Sequence, residues 1–514
     1  MKINRLENTT RNIFFGSILR IYQMLMPFIM RTILIYMLGV NYLGLNSLFT
    51  SILQVLNLAE MGVGLAMVFS MYEPIAKDDN KKVCALMNLY KNYYRFIGLI
   101  VLIGGFCVIP FLNNFIKSDI PNNINIYWLY LLNLLATVST YWMFAYKNSL
   151  LFAHQRTDVS TKISILTDTL KYLLQIGSLV IFKNYYLYTL VIIFTQIITN
   201  VITAKITTKL YPQYHAEGAL SKEEIHIINK KIRDLFTSKL GYVVFNSVDT
   251  IVISSFLGLK ILAIYQNYYF IVTSVTSLVG VIFSASVAGI GNSLITETKE
   301  KNYLDFKKFT LIVTWVSGFC VVCLSCLYQP FMKIWVTEKL MLPYFAVILF
   351  VIYFFVNELT LLLDSYKDAA GMWHEDRFRP LILSFINLSL NVFLVKRVGV
   401  YGVLIASCFT KIFIGIPWVL YNLFHYIFNR SAIDYLKKLF IDCNVVVIVT
   451  VITYYICKFV TFDGFIGLLF KLMLCILISN VLFYILFKFD KEYDECINMI
   501  KRLIRKFMIS IRVS

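Results

Sequence analysis

Ten ionisable side chains lie inside long apolar segments of this sequence, where an unpaired charge is costly. They are Arg20, Arg31, Glu60, Asp168, Lys171, Asp249, Glu358, Asp364, Lys411 and Lys471. Arginine is suited to bidentate contact with phosphate groups, and carboxylates at membrane depth are suited to binding a proton or a cation. Since no metal-ligand spacing or nucleophile motif accompanies them, the pattern indicates binding and ion coupling rather than catalysis.

The basic residues of the first half share helix faces with other polar side chains. Arg20, Gln23 and Arg31 are spaced for one stripe on a first helix, and Lys171 lies three residues after Asp168. We therefore predict an anion-binding set that comprises Arg20, Gln23, Arg31 and Lys171. The alternative for Lys171 is an ion pair with Asp168 inside a packed bundle.

The second half carries more acid than base within its apolar segments. An acidic lobe of this kind is suited to a proton or Na⁺ that drives a transport cycle. The candidates for coupling or gating are Asp249, Glu358, Asp364 and Lys411 of the second half, together with Glu60 of the first half.

The composition requires a membrane to solvate the chain. Of 514 residues, 59% are hydrophobic, against about 45–50% in a soluble domain. The net charge of +19 is explained by cytoplasmic loops, which collect Lys and Arg, and no nucleic-acid-binding module is visible.

Fourteen apolar segments are long enough to span a bilayer, which takes about 20 residues. Most of the 48 Lys and Arg residues fall on the inner side when both termini are placed in the cytoplasm, and the outer loops are short. We predict an all-α polytopic membrane protein with spans at 12–37, 44–71, 93–116, 124–152, 159–182, 185–208, 237–258, 261–294, 309–334, 342–369, 378–395, 400–428, 439–460 and 465–487.

An internal repeat organises these spans. Tyr146, Lys147 and His154 recur 220 residues later as Tyr366, Lys367 and His374. Six helices per copy give parallel repeats around a central cavity, and Lys147 and Lys367 then lie at its inner mouth. The predicted domains are a first six-helix lobe at 1–210, a cytoplasmic amphipathic linker at 211–236, a second lobe at 237–430, two appended helices at 431–488 and a basic amphipathic tail at 489–514. The linker and the tail are predicted to contact membrane lipids.

Three of the ten cysteines form a C-x-x-C-x-x-C pattern, at Cys320, Cys323 and Cys326. They lie in an apolar helix without a nearby fourth ligand. We interpret them as small buried residues rather than as a fragment of an iron–sulfur site.

Residues 31–74 resemble the N-terminal region of bacterial polysaccharide repeat-unit flippases of the multidrug/oligosaccharidyl-lipid/polysaccharide exporter superfamily. The matching residues are Arg31-Thr32, Tyr36, Gly39, Tyr42-Leu43-Gly44-Leu45, Leu58-Ala59-Glu60, Gly62, Gly64 and Phe69-Ser70. The resemblance implies alternating access and transfer of an undecaprenyl-diphosphate-linked oligosaccharide to the outer leaflet of the bacterial cytoplasmic membrane. It also implies that the protein acts in the synthesis of capsule, O-antigen or another surface polysaccharide, together with a polymerase and glycosyltransferases. The spans depart from the cationic cavity usual in this family, because they hold as many acidic as basic residues.

Two other functions stay open. A cation-coupled multidrug exporter of the same architecture fits the acidic second lobe. A membrane glycosyltransferase or polymerase fits less well, because the outer loops are short and hold few catalytic side chains. We expect no enzyme activity and no cofactor beyond a possible coupling ion.

Overall fold

The computed structural model describes residues 5–60, 62–117, 120–462, 464–490 and 492–498, and these residues contain helices and no strand. The predicted all-α architecture is confirmed, whereas most of the predicted tail lies outside the described residues. The α-helices are α1 (Arg5–Met37), α2 (Val40–Leu56), α3 (Val63–Ala76), α4 (Asn80–Val108), α5 (Ile126–Trp142), α6 (Asn148–Ala153), α7 (Thr157–Val180), α8 (Tyr185–Leu210), α9 (Lys222–Leu257), α10 (Leu259–Thr296), α11 (Lys299–Val336), α12 (Tyr344–Ala369), α13 (Trp373–Asp376), α14 (Arg379–Val398), α15 (Val400–Thr410), α16 (Ile416–Asn422), α17 (Ile433–Lys458) and α18 (Gly464–Phe487).

Eleven helical segments in the described part of the chain are long and apolar enough to cross a membrane. The protein is therefore a multi-pass membrane protein. The other three predicted spans correspond to the α2–α3 pair, to α5 with α6, and to the polar α7. The count of fourteen spans stays a prediction.

The predicted span 44–71 is not one continuous helix. It breaks after α2 into a 3₁₀ turn, Asn57–Glu60, and resumes as α3 after Gly62. Gly62 has a φ of 101°, a conformation that side chains with a Cβ rarely adopt. The break brings polar side chains and freed backbone groups into the middle of an apolar segment, as in transporters with discontinuous helices.

Contacts divide the chain into two compact units, Met1–Ala263 and Ile264–Ser514. In the first unit α7 packs on α1 and α8, α5 on α4 and α8, and α2 on α9. Gly44 permits a close approach to the start of α10, because a Cβ there would lie 2.3 Å from the carbonyl oxygen of Leu259.

Helix α9 is continuous from the predicted linker into the seventh predicted span, and its residues belong to the first contact unit. It begins with a capping box in which Ser221 and Glu224 satisfy each other's backbone N–H groups. The proposed division into two six-helix lobes and a linker stays a prediction.

In the second unit α11 packs against α12, α17 and α18, and α14 packs on α15. Between α15 and α16 the chain forms a π-helical turn, Lys411–Gly415, and a second one follows α16 at Leu423–Phe428. Such π-turns widen a helix locally and are frequent at functional sites. The first one begins at Lys411, one of the predicted coupling residues.

Candidate functional site

The break in the second span places a carboxylate among tyrosines. Glu60 accepts hydrogen bonds from the hydroxyls of Tyr94, at 2.7 Å, and Tyr141, at 3.2 Å. Tyr141 also lies 3.0 Å from Oδ1 of Asn57, and Tyr90 donates to the hydroxyl of Tyr94 at 2.6 Å. We call Asn57, Glu60, Tyr90, Tyr94 and Tyr141 the Glu60 cluster.

Three elements build the Glu60 cluster. Tyr90 and Tyr94 are one helical turn apart on α4, Tyr141 is near the end of α5, and the 3₁₀ turn supplies Asn57 and Glu60. Among the described residues, no Lys or Arg forms an ion pair with Glu60, so hydroxyl groups alone hold this carboxylate. The i, i+4 spacing of Tyr90 and Tyr94 is the signal in the sequence that could have located partners for Glu60.

The polar stripe predicted for the first helix lies on one continuous helix, because α1 does not end at Pro27. Arg20 and Gln23 are exposed on the first unit, and Arg31 is partly exposed. Arg31 interacts electrostatically with Tyr188 of α8, whereas Arg20 forms no ion pair within the described part of the chain. This stripe offers cationic side chains that can contact an anion.

Lys171 is already neutralised within its own helix. Its ammonium lies 2.6 Å from Oδ1 of Asp168 and 4.6 Å from the centroid of the Tyr172 ring. The neighbouring Thr169 hydroxyl lies 2.9 Å from that of Tyr22, which joins α7 to α1. The structural alternative for Lys171, an ion pair with Asp168, is therefore present, and an anion would have to compete with that pair.

The second unit contains a carboxylate with no hydrogen-bond partner among the described residues. Glu358 on α12 has no exposed surface, and neither of its oxygens accepts a hydrogen bond there. Lys411 interacts with it electrostatically, as does the Cys320 thiol of α11, and the Thr276 hydroxyl of α10 is a donor available to it. A carboxylate held this way is suited to gaining and losing a proton or a cation.

Lys411 contacts the residue next to Glu358 rather than Glu358 itself. Its ammonium donates a 2.6 Å hydrogen bond to Oδ1 of Asn357 and lies 5.0 Å from the centroid of the Tyr353 ring. The π-turn that starts at Lys411 packs on α12. We call Glu358, Asn357, Lys411 and Thr276 the Glu358 cluster.

Asp364 belongs to an ion-pair network rather than to the Glu358 cluster. Arg379, which is buried, lies 2.6 Å from Asp364 and contacts both oxygens of Asp376, at 2.6 and 2.8 Å. Lys367 lies 3.1 Å from Asp376 and from Asp368. The network fastens α12, α13 and α14 together. Sequence reasoning missed Arg379 and Asp376, since neither lies within a predicted repeat motif or deep in an apolar run.

The predicted inner-mouth lysines have different surroundings. Lys147 donates a 2.6 Å hydrogen bond to the hydroxyl of Thr208. Lys367 is held by the carboxylates of Asp368 and Asp376 instead. Asp249, another predicted residue, is buried on α9. The structure therefore does not bring all the predicted site residues into one cluster.

A sequence profile described as "Polysaccharide biosynthesis protein" matches residues 9–288, more than half of the chain. The chain belongs to this family. The match covers both the Glu60 cluster and the polar stripe of α1, and the resemblance inferred from residues 31–74 is confirmed. No curated protein matches the sequence significantly.

Solved structures show the fold that this polysaccharide biosynthesis family member adopts. Lipid II flippase MurJ, in an inward closed conformation, aligns over 93% of this chain and 99% of its own, with a TM-score of 0.72 and 16% identity. An inward-facing multidrug resistance MATE family transporter of the MOP superfamily aligns over 82% and 99%, with a TM-score of 0.62 and 13% identity. A MOP superfamily transporter from Pyrococcus furiosus aligns over 82% and 96%, with a TM-score of 0.55 and 12% identity. At these identities the likeness establishes the fold.

Proposed function

We propose that this protein is a flippase that moves a polyprenyl-diphosphate-linked oligosaccharide from the cytoplasmic to the outer leaflet by alternating access. The proposal rests on one combined observation. The chain matches a polysaccharide biosynthesis family, and it has the fold of transporters. Polysaccharide made from lipid-linked units needs a step that carries the polar head across the bilayer, where polar groups are costly. A transporter, rather than an enzyme, performs that step.

Recognition of the diphosphate is assigned to the stripe of α1. Arg20 is exposed and without a carboxylate partner among the described residues, and Arg31 is partly exposed on the same helix. Guanidinium groups bind phosphate oxygens through two parallel hydrogen bonds. Gln23 adds an amide that can bind sugar or phosphate oxygens, and Lys171 contributes less because Asp168 already pairs with it.

Ion coupling is assigned to Glu358. An ionised carboxylate buried without a donor is strongly destabilised, so this environment favours its neutral form or its pairing with a cation. Lys411, hydrogen-bonded to Asn357, is a counter-charge one residue away. Glu60 and Asp249 are second candidates, and Asp364 is the weakest because Arg379 already neutralises it. The coupling ion is a proton or Na⁺.

The protein acts in the bacterial cytoplasmic membrane with both termini inside, in this proposal. Its partners are the lipid-linked oligosaccharide, membrane lipids, the glycosyltransferases that build the unit and the polymerase that consumes it. Capsule, O-antigen or another surface polysaccharide is the final product.

A deletion strain tests the proposal. Loss of the protein should stop surface polymer and cause lipid-linked oligosaccharide to accumulate, and plasmid-borne wild-type protein should reverse both effects. The double variant R20A/R31A should not complement, while K339A, which removes an exposed cation from an outer turn, should complement fully. Unchanged surface polymer in a deletion strain with no second flippase would contradict the proposal.

A cation-coupled multidrug exporter is the second candidate. It is favoured by the likeness to MATE transporters and by the buried carboxylates of the second unit. The deletion strain then becomes more sensitive to cationic drugs while its surface polymer stays normal, which is the opposite of the result that the flippase predicts.

A further inference from the structure

Three cysteines from separate helices meet in the core of the second unit. Cys326 of α11, Cys457 of α17 and Cys475 of α18 are buried, and their sulfur atoms all lie within 4.8 Å of one another. The sulfurs of Cys457 and Cys475 are 3.9 Å apart. We call these three residues the thiol cluster.

The thiol cluster differs from the pattern that the sequence suggested. Cys320, Cys323 and Cys326 follow one another at intervals of three, which rotates successive side chains around the helix by about 60°. Cys320 and Cys323 line a separate apolar cavity of about 260 Å³, and of the three only Cys326 belongs to the thiol cluster. The partners of Cys326 are more than 130 residues away in sequence and could not be identified from spacing.

We propose that the thiol cluster is a three-coordinate site for a soft, thiophilic metal ion, with Cu(I) as the preferred occupant. Three sulfurs bonded at about 2.3 Å to one ion in a plane lie about 4.0 Å apart, close to the separation of Cys457 and Cys475. Thiolate ligands select Cu(I) and Zn(II) over hard cations. A disulfide would need the same two sulfurs to approach to about 2.05 Å.

The surroundings suit the charge of such a complex. Binding releases three protons, one from each thiol, so that three thiolates and one Cu(I) carry two net negative charges. A neighbouring cavity of about 170 Å³ is lined by Cys326, Cys457 and two lysines, Lys458 and Lys471. The two ammonium groups supply the compensating charge, and the cavity offers the ion a way in. The bound ion would join α17 and α18 to α11.

Metal titration of the full-length protein in detergent tests this site. After reduction and removal of the reductant, Cu(I) is added in competition with a colorimetric chelator, and a parallel arm uses Zn(II). We expect one Cu(I) per chain, and at least a tenfold loss of affinity in each of C326S, C457S and C475S. C320S and C323S are matched controls on the same helix, and they should bind like wild type.

A second readout separates ligation from misfolding. Cu(I) should raise the thermal midpoint of wild type, C320S and C323S, and leave that of the three cluster variants unchanged. Where a serine variant does not fold, Cd(II) on the wild type should give a thiolate-to-metal absorption band that prior alkylation of the thiols removes. Equal Cu(I) binding by wild type and C457S would overturn the proposal. A reduced wild-type protein that binds no Cu(I) would also overturn it. The same holds if the protein is isolated with a Cys457–Cys475 disulfide and still binds no Cu(I) after that bond is reduced.

Discussion

The hydroxyl of Tyr94 donates a 2.7 Å hydrogen bond to Glu60 in the 3₁₀ turn that separates α2 from α3. Tyr141 donates to the other oxygen of the same carboxylate. One acidic side chain thus joins the break between α2 and α3 to both α4 and α5. Glu60 therefore has a structural role in the first unit, and it is also a candidate for coupling.

The first prediction concerns the acceptor role of Glu60. E60A leaves the Tyr94 hydroxyl without its acceptor, which costs about 1–3 kcal/mol for a buried group left unsatisfied, whereas the Tyr141 hydroxyl keeps Asn57 as an acceptor. The thermal midpoint in detergent should fall clearly for E60A and by less for Y94F. E60Q keeps one acceptor oxygen and should lie between E60A and wild type.

Tyr93 provides the matched control for this prediction, because it is adjacent to Tyr94 but hydrogen-bonds Asn229 instead of Glu60. Y93F should shift the midpoint less than Y94F does. A midpoint for E60A equal to that of wild type would show that the Glu60 cluster does not stabilise the break.

The second prediction concerns the buried network around Arg379. R379A leaves Asp364 and Asp376 without their main counter-charge, and removing one partner of a buried pair costs about 3–5 kcal/mol. Unfolding monitored by intrinsic fluorescence should show a strongly lowered midpoint. K77A breaks the exposed pair with Glu73 and should leave the midpoint unchanged. Equal stability of R379A and wild type would contradict the assignment of this network to structure.

The third prediction separates stability from coupling at Glu358. E358Q replaces a buried carboxylate with a neutral side chain of the same size, so the thermal midpoint should stay the same or rise. Oligosaccharide transfer by E358Q should become insensitive to an ionophore that collapses the ion gradient, or stop. E338Q, in an exposed turn between α11 and α12, should retain wild-type sensitivity. Full gradient-dependent transfer by E358Q would exclude Glu358 as the coupling residue.

The fourth prediction concerns pH and His154, which lies between α6 and α7 and stacks on Tyr211 with ring centroids 4.1 Å apart. Burial lowers the pKa of this imidazole. The unfolded chain therefore binds the proton more readily, so the stabilisation is complete above the ordinary histidine pKa of about 6.5 and is lost as pH falls towards the folded value.

Thermal midpoints measured from pH 8 down to pH 5 should decline below about pH 6.5 in the wild type. H154Q should flatten part of this decline, whereas H226Q, at an exposed position on α9, should leave it in place. An identical decline in H154Q would mean that other groups cause it.

The sequence predicted the helical architecture well, because long apolar runs and the placement of Lys and Arg report directly on a bilayer. Its repeat motif was less informative about local structure. The helix that leads to Lys147 breaks at Phe144, which has a φ of 58°, whereas α12 continues past Lys367. The two copies of the motif therefore differ in their contacts. Lys147 donates a hydrogen bond to a hydroxyl, whereas Lys367 belongs to a network of carboxylates.

The partners of each charged residue were harder to predict. Asp168 and Lys171 are neighbours on one helix, so their pairing could be anticipated from spacing. Arg379 with Asp364, and Tyr141 with Glu60, depend on how separate helices pack. Apolar side chains fit many packings about equally well, so a single sequence does not specify which polar groups meet.

The central claim is tested most directly by locating the lipid-linked oligosaccharide between the two leaflets. Spheroplasts with radiolabelled oligosaccharide are treated with membrane-impermeant periodate, which oxidises only sugars on the outer surface. Wild type and K339A should expose most of the label, and the deletion strain should protect it. R20A/R31A should reduce the rate of exposure at least tenfold, since each lost charge-assisted hydrogen bond is worth about 1.5–3 kcal/mol. Equal exposure in wild type and the deletion strain would contradict the account.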